Sequence, residues 1–216
     1  MKFIGIILLL LTSIFLIACS ANQTSNKISN SELENLASKY GGVYIFNQKF
    51  VEEIEKREVE RKAVNQQILS EIAHISNKSE RNAKMRELLK ERYYNNPKIE
   101  QTLSNGKRYY LKWLDYENET GKKVKIPDEY VNKIKEFIGD ENFSKSPKPL
   151  LRKFYIDNGQ IMPITISLTY SYQSKKYGLF GDEGAGIKFS KSETNYVLGG
   201  NKFYFDSSKN TFVKEK

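Results

Sequence analysis

Two residue types occur once each, and between them they bound the chemistry open to this chain. His74 is the one histidine and Cys19 the one cysteine in 216 residues. A Ser-His-Asp relay or a histidine-ligated metal would have to be built on His74. No G-x-S-x-G or H-E-x-x-H run accompanies it, and on the helical wheel of its segment it falls opposite the apolar stripe, as an exposed histidine does. A lone cysteine permits no intramolecular disulfide, no CxxC redox pair and no thiolate zinc site. No D-x-D-x-D-G run supplies an all-oxygen calcium loop. The sequence therefore nominates no catalytic, cofactor-binding or metal residue, and no cofactor is expected.

Gly178, Gly181, Gly184 and Gly186 punctuate the segment 177–187. Such glycine density cradles phosphate where it opens a helix after a strand. Here β-prone residues follow, no P-loop lysine-serine pair is present, and Asp182 and Glu183 would repel phosphate, so a loop between two strands is expected. The same two carboxylates are the candidate acid/base pair for glycoside cleavage, although neighbours on a strand point to opposite faces. Tyr110 and Tyr116 lie on the face of their strand opposite Trp113. They are either rings open to sugars, peptides or a partner protein or rings buried under helices, and the supply of apolar helical surface favours burial. Thr165, Ser167 and Thr169 make a hydroxyl row expected to face solvent.

The elements that must position these residues divide the chain by period. Helical spacing dominates residues 31–95, a mixed stretch covers 98–140, and alternation dominates 150–216. The expectation is one α+β domain over 31–216, its helical N-terminal half packed on a C-terminal antiparallel meander. Ser29 and Glu32 have capping-box spacing ahead of Leu33, Leu36 and Ala37. Asn47 caps a long helix over about 50–75, whose stripe holds Phe50, Val51, Ile54, Val64, Ile68, Leu69, Ile72 and Ile75. Arg57, Glu58 and Arg61 interrupt that stripe, so packing on the domain's own sheet is preferred to a coiled coil. A second helix is expected over about 80–94.

Tyr109, Leu111 and Trp113 alternate as a strand, and Val124 and Ile126 as another. A helix follows Pro127, with Tyr130, Ile134, Phe137 and Ile138 inward and Gly139 beyond its end. Leu150, Phe154 and Ile156 alternate, as do Met162, Ile164, Ile166, Leu168, Tyr170 and Tyr172. A three-residue loop, Asp157-Asn158-Gly159, is preferred to a two-residue Asn158-Gly159 turn because it aligns Phe154 with Met162 and Leu150 with Ile166. Short strands are expected near 187–189, 196–198, 203–205 and 211–213.

Behind Met1 and Lys2 runs an apolar stretch, 3–16, closing on Leu16, Ile17, Ala18 and Cys19. It is too short for a span of about 20 residues and has the layout of a cleaved export signal. Leu16-Ile17-Ala18-Cys19 resembles the lipobox of bacterial lipoproteins. The resemblance covers the first twenty residues and implies a signal peptide over 1–18, acylation of Cys19 on sulfur with a palmitate-type chain, and acylation of its new amino group. Two or more acyl chains hold a protein firmly to a bilayer. Residues 19–30 are then the lipidated cysteine and a polar tether reaching roughly 16–19 Å. In that family Ser20 after the cysteine favours the outer membrane where a cell has two, and the cell membrane is otherwise the site.

The full chain carries a formal charge of +9, or +8 once Lys2 leaves with the leader. Such an excess attracts anionic headgroups and acidic cell-wall polymers, while export removes nucleic acid from the expected partners. The functional expectation is a membrane-anchored envelope lipoprotein, a non-enzymatic binding or structural module whose partner is an envelope protein or cell-wall polymer. A second reading is a carboxylate-dependent cell-wall or glycan hydrolase. A third docks the long helix into an envelope complex.

Overall fold

In the computed structural model, described over residues 29–181, 184 and 186–215, the α+β expectation holds: helices fill the first half and strands the second. The chain divides into the units Met1–Asn30 and Ser31–Lys216. Cys19 and the rest of the lipoprotein-like leader lie outside the described residues.

Helix α1, Asn30–Tyr40, buries Leu33, Leu36 and Ala37 on one side, the i, i+3, i+4 pattern of its sequence. Strand β1, Gly42–Ile45, follows at once. Gly42 sits at φ +146, where a Cβ would fall 2.0 Å from the Asn201 carbonyl oxygen, so only glycine lets β1 approach its neighbour this closely. Asn47 then caps α2, Gln48–Glu71, its side chain accepting the Phe50 N–H at 3.0 Å.

The α2 stripe serves two different neighbours. Val51 and Ile54 join Ile45, Leu103, Tyr109 and Ile164 in a core on one side of the sheet. Ile68 and Ile72 pack instead with Leu88 of α3, Lys78–Leu89. Leu69, expected in the stripe, is exposed, because α3 covers only one side of the helix end. Between the two cores, the charged residues that interrupt the stripe tie the helix to the segment after α3. Arg57 donates to the Lys98 carbonyl, Arg61 donates to the Ile99 carbonyl at 2.7 Å, and Glu58 accepts the Tyr109 hydroxyl at 2.6 Å.

The alternation after residue 108 is a strand for only two residues, β2, Tyr109–Tyr110. Trp113 opens helix α4, Trp113–Thr120, and Gly121 closes it in the left-handed region. The expected strand through Val124 and Ile126 does not form. The two side chains are half-buried against the core, but their backbone joins no ladder. Helix α5, Asp128–Ile138, forms as the sequence predicts, with Asp128 and Glu129 in its first turn and Gly139 at its end. The short α6, Asp140–Ser144, follows it.

Strand β3, Lys148–Leu151, and β4, Phe154–Asp157, turn back at Asn158-Gly159 into β5, Gln160–Pro163, and β6, Thr165–Phe180. The turn has two residues, not the expected three. Asn158 and Gly159 stand at φ +46 and +77, and Asp157 opposes Gln160. The mismatch of faces that the two-residue turn implies is removed at a bend. Ile164 and Thr165 both donate their N–H to the Lys153 carbonyl, at 2.8 and 2.9 Å. Leu151, not Leu150, therefore shares the core with Phe154, while Ile164 faces the opposite core from Ile166.

Strand β7, Lys188–Val197, unites two segments expected as separate strands. The hairpin β8, Asn201–Asp206, and β9, Thr211–Lys214, completes the sheet. The large sheet runs β3-β6-β1-β8-β9, and among the described residues β7 pairs only with β6; β2-β4-β5 form a smaller one. Because β1 lies parallel to β8, the sheet is mixed and not a simple meander. Its principal core joins Tyr44, Ile134, Ile138, Leu151, Phe154, Ile166, Leu168, Phe203 and Phe212, with Tyr44 stacked on Phe203 at 4.7 Å.

Candidate functional site

The sequence candidates disperse. His74 is exposed in the turn after α2. Tyr110 and Tyr116 meet edge to face at 5.2 Å and both pack on Phe154, so these rings are committed to the core. The hydroxyl row does not face water throughout: Thr165 is buried, and its Oγ1 accepts the Lys153 N–H at 3.1 Å. Asp182 and Glu183 lie outside the described residues. No group of three His, Cys, Asp or Glu side chains able to hold a metal ion occurs among the described residues.

Carboxyl chemistry points the same way. Burial pushes the Glu53 carboxyl up, but hydrogen bonds from the Ser104 N–H and Oγ, aided by Lys49, outweigh it and hold the group below its ordinary range. The Val124 N–H, with Lys123, does the same for Glu117. Ser208 does so for Asp206. These carboxylates are stabilised as anions, the opposite of what a general acid needs near neutral pH.

A cleft of about 370 Å³ opens where α2 leaves one face of the sheet uncovered, floored by Val43, Ile45, Val51 and Leu111. Two of the cations at its rim already have partners: Lys153 reaches Glu55 at 3.0 Å, and Lys202 reaches Glu215 at 3.4 Å. Its apolar floor belongs to the core beneath α2.

The largest uncommitted feature is the arm made by β6 and β7. Strand β6 spends its first residues between β1 and β3, then leaves the sheet and continues to Phe180 paired with β7 alone. No apolar side chain beyond Tyr172 on β6 is buried, nor any on β7. Yet the distal part is not polar. Tyr177 is 81% exposed, Leu179 75%, Ile187 73% and Phe189 75%. Near the base, Tyr196 and Leu198 are also exposed. The pairing of β6 with β7 shifts register between Tyr177 and Phe180.

Charge on the arm is patterned as well. Lys175, Lys176, Lys188 and Lys191 stand along it. Glu193 pairs with Lys176 at 2.7 Å and with Lys191 at 3.6 Å, and the hydrogen bond from Lys176 leads in holding its carboxyl below the ordinary range. At the root, Tyr170 is fully buried with no hydrogen-bond partner for its hydroxyl, and burial pushes its pKa up to about 12. It is the last buried residue of β6 before the ribbon leaves the body.

The sequence signal for this arm was the alternation from 162 to 172; the strand continues eight residues further, past Ser174, Lys175 and Lys176, where that alternation stops. Exposure carries no such signal, since a buried and a naked strand alternate alike. Comparison of the chain with protein-family models, with curated proteins and with solved structures finds no match.

Proposed function

We propose that this protein is a lipid-anchored envelope lipoprotein acting as a non-enzymatic binding module, with the β6–β7 arm as its binding element. One observation carries the reading. A two-stranded ribbon is marginal in water by itself, and this one keeps Tyr177, Leu179, Ile187 and Phe189 solvated together, whereas the body leaves exposed only scattered large side chains such as Val59 and Tyr94 among the described residues. Apolar surface left open in this way marks an interaction site. The anchor is inferred from Leu16-Ile17-Ala18-Cys19, and the tether at 19–30 would keep the folded unit near the bilayer. Docking through the long helix has less support, because α2 spends its apolar side on the sheet and on α3.

The test has two arms. Cells expressing the protein are fractionated, and the Cys19→Ala form is expected in the soluble fraction while the unaltered form sediments with membranes. Envelope extracts are then captured on the unaltered protein and on a Leu179→Ser/Phe189→Ser form with an unchanged circular dichroism spectrum. Loss of a specific partner from the second is expected. An identical set of captured proteins from both would refute the arm as the binding element.

A further inference from the structure

We infer that the arm's partner is a second copy of this chain, joined edge to edge through β7 about a two-fold axis that passes Ser192. The inference rests on the arm being the binding element and names what it binds.

Among the described residues β7 pairs with β6 alone, so along about 34 Å of extended chain every second one of its ten residues turns a free N–H and C=O to solvent. Such an edge is a template for another strand. Two copies of one strand pairing antiparallel about a two-fold axis must set some residue opposite itself, because opposed residues share a face of the sheet. Only whole-residue registers are therefore open, and charge distinguishes them.

An axis at Lys191 sets lysine against lysine, and an axis at Glu193 sets glutamate against glutamate. An axis at Ser192 sets serine against serine. It also places Lys191 of each copy opposite Glu193 of the other, once on either side of the axis. Opposite charges across a strand pair stabilise it and like charges oppose it. The other free edge, the distal half of β6, has Lys175 and Lys176 at its middle and would bring lysines together in the same operation.

The distribution of apolar residues fits the same register. The large exposed side chains flank the two ends of β7, Ile187 and Phe189 at one and Tyr196 and Leu198 at the other, while residues 190–195 between them are polar. Antiparallel pairing about Ser192 brings each end of one strand to the opposite end of its copy. Ile187 then opposes Val197, Phe189 lies diagonal to Val197, and Lys188 opposes the ring of Tyr196. The result is a four-stranded sheet, β6-β7-β7-β6, in which an edge that invites unlimited pairing is closed by symmetry.

The test uses the whole exported chain in a Cys19→Ala background, which leaves no other thiol. Ser192→Cys should give a disulfide-linked dimer under copper-phenanthroline oxidation, since opposed residues sit at Cα separations a disulfide spans. Ser207→Cys, on the exposed turn between β8 and β9, should cross-link at least tenfold more slowly. In sedimentation equilibrium, Lys191→Glu and Glu193→Lys should each weaken dimerisation at least tenfold, and the two together should restore it. A monomer at all concentrations, equal cross-linking at 192 and 207, or no rescue by the charge swap would overturn self-pairing. Loss of a different envelope partner by the Leu179→Ser/Phe189→Ser form would still leave the arm as a binding element, so the two readings fail separately.

Discussion

Excising the distal arm should leave the body almost as stable as before. Gln173 and Thr194 oppose each other across the ribbon, so residues 174–193 can be replaced by an Asn-Gly pair, the turn this chain already uses at 158–159. What is lost can be worked from the structure. None of the three cores draws a residue from 174–193, so the hydrophobic contribution to the body is unchanged. The side-chain hydrogen bond from Asn195 to Ser174, 2.7 Å, disappears, worth at most about 1 kcal/mol. The ladder bonds of a ribbon solvated on both faces are exchanged for bonds to water at little net cost. A unit of this size shifts its midpoint by about 2–4 °C per kcal/mol, so Tm by calorimetry should fall by no more than about 4 °C. Association should vanish in the same sample. A fall beyond about 10 °C, or loss of a single cooperative transition, would show that the arm packs on the body and would remove the case for a free binding element.

Other outcomes follow from the body. Tyr109→Phe removes the hydroxyl that Glu58 accepts at 2.6 Å and should cost about 1–2 kcal/mol; a double-mutant cycle with Glu58→Ala in urea should recover most of that as coupling. Gly42→Ala, whose Cβ would meet the Asn201 carbonyl oxygen at 2.0 Å on a φ of +146, should cost about 3 kcal/mol or more. Gly121→Ala, with open space around it at φ +71, should cost only about 1–2 kcal/mol, and both are read from denaturant midpoints. Burial raises the tyrosines Tyr44, Tyr109 and Tyr170 above their ordinary pKa. The folded state then holds protons that the unfolded chain releases above about pH 10, so stability is full below that pH and should fall as pH rises beyond it. A flat denaturant midpoint between pH 9 and 11.5 would contradict it.

What was legible in the sequence was what local chemistry decides. Asn47 followed by an apolar residue at each turn gave α2 its start and its inward side. Pro127, two acids and Gly139 bracketed α5, and the change of period after 108 separated helix from strand. What misled was inference across a bend. Leu150 and Phe154 read as one face because nothing local marks the point where two N–H groups share the Lys153 carbonyl, and that bend exchanges Leu150 for Leu151 in the core. Trp113 read as a strand residue because its alternation with Tyr109 and Leu111 outweighed the signal of Gly121 eight residues on. Arg57, Glu58 and Arg61 read as flaws in a helical seam, whereas they are the groups that bind the helix to the segment 98–109.

The arm was illegible for a different reason, and that reason bears on its role. In a strand paired within a sheet, alternation arises because one face is dry. In β6 the dry face ends near Tyr170, yet large side chains go on to Phe180, and Ile187 just before β7 and Phe189 within it add to them. A ribbon that served only as a spacer would gain solubility from polar residues at those positions. Apolar residues there lower the solubility of the isolated chain and gain nothing from its own fold. They contribute once a second surface covers them, and the alternation of Lys191 with Glu193 about Ser192 provides a surface already present in every copy.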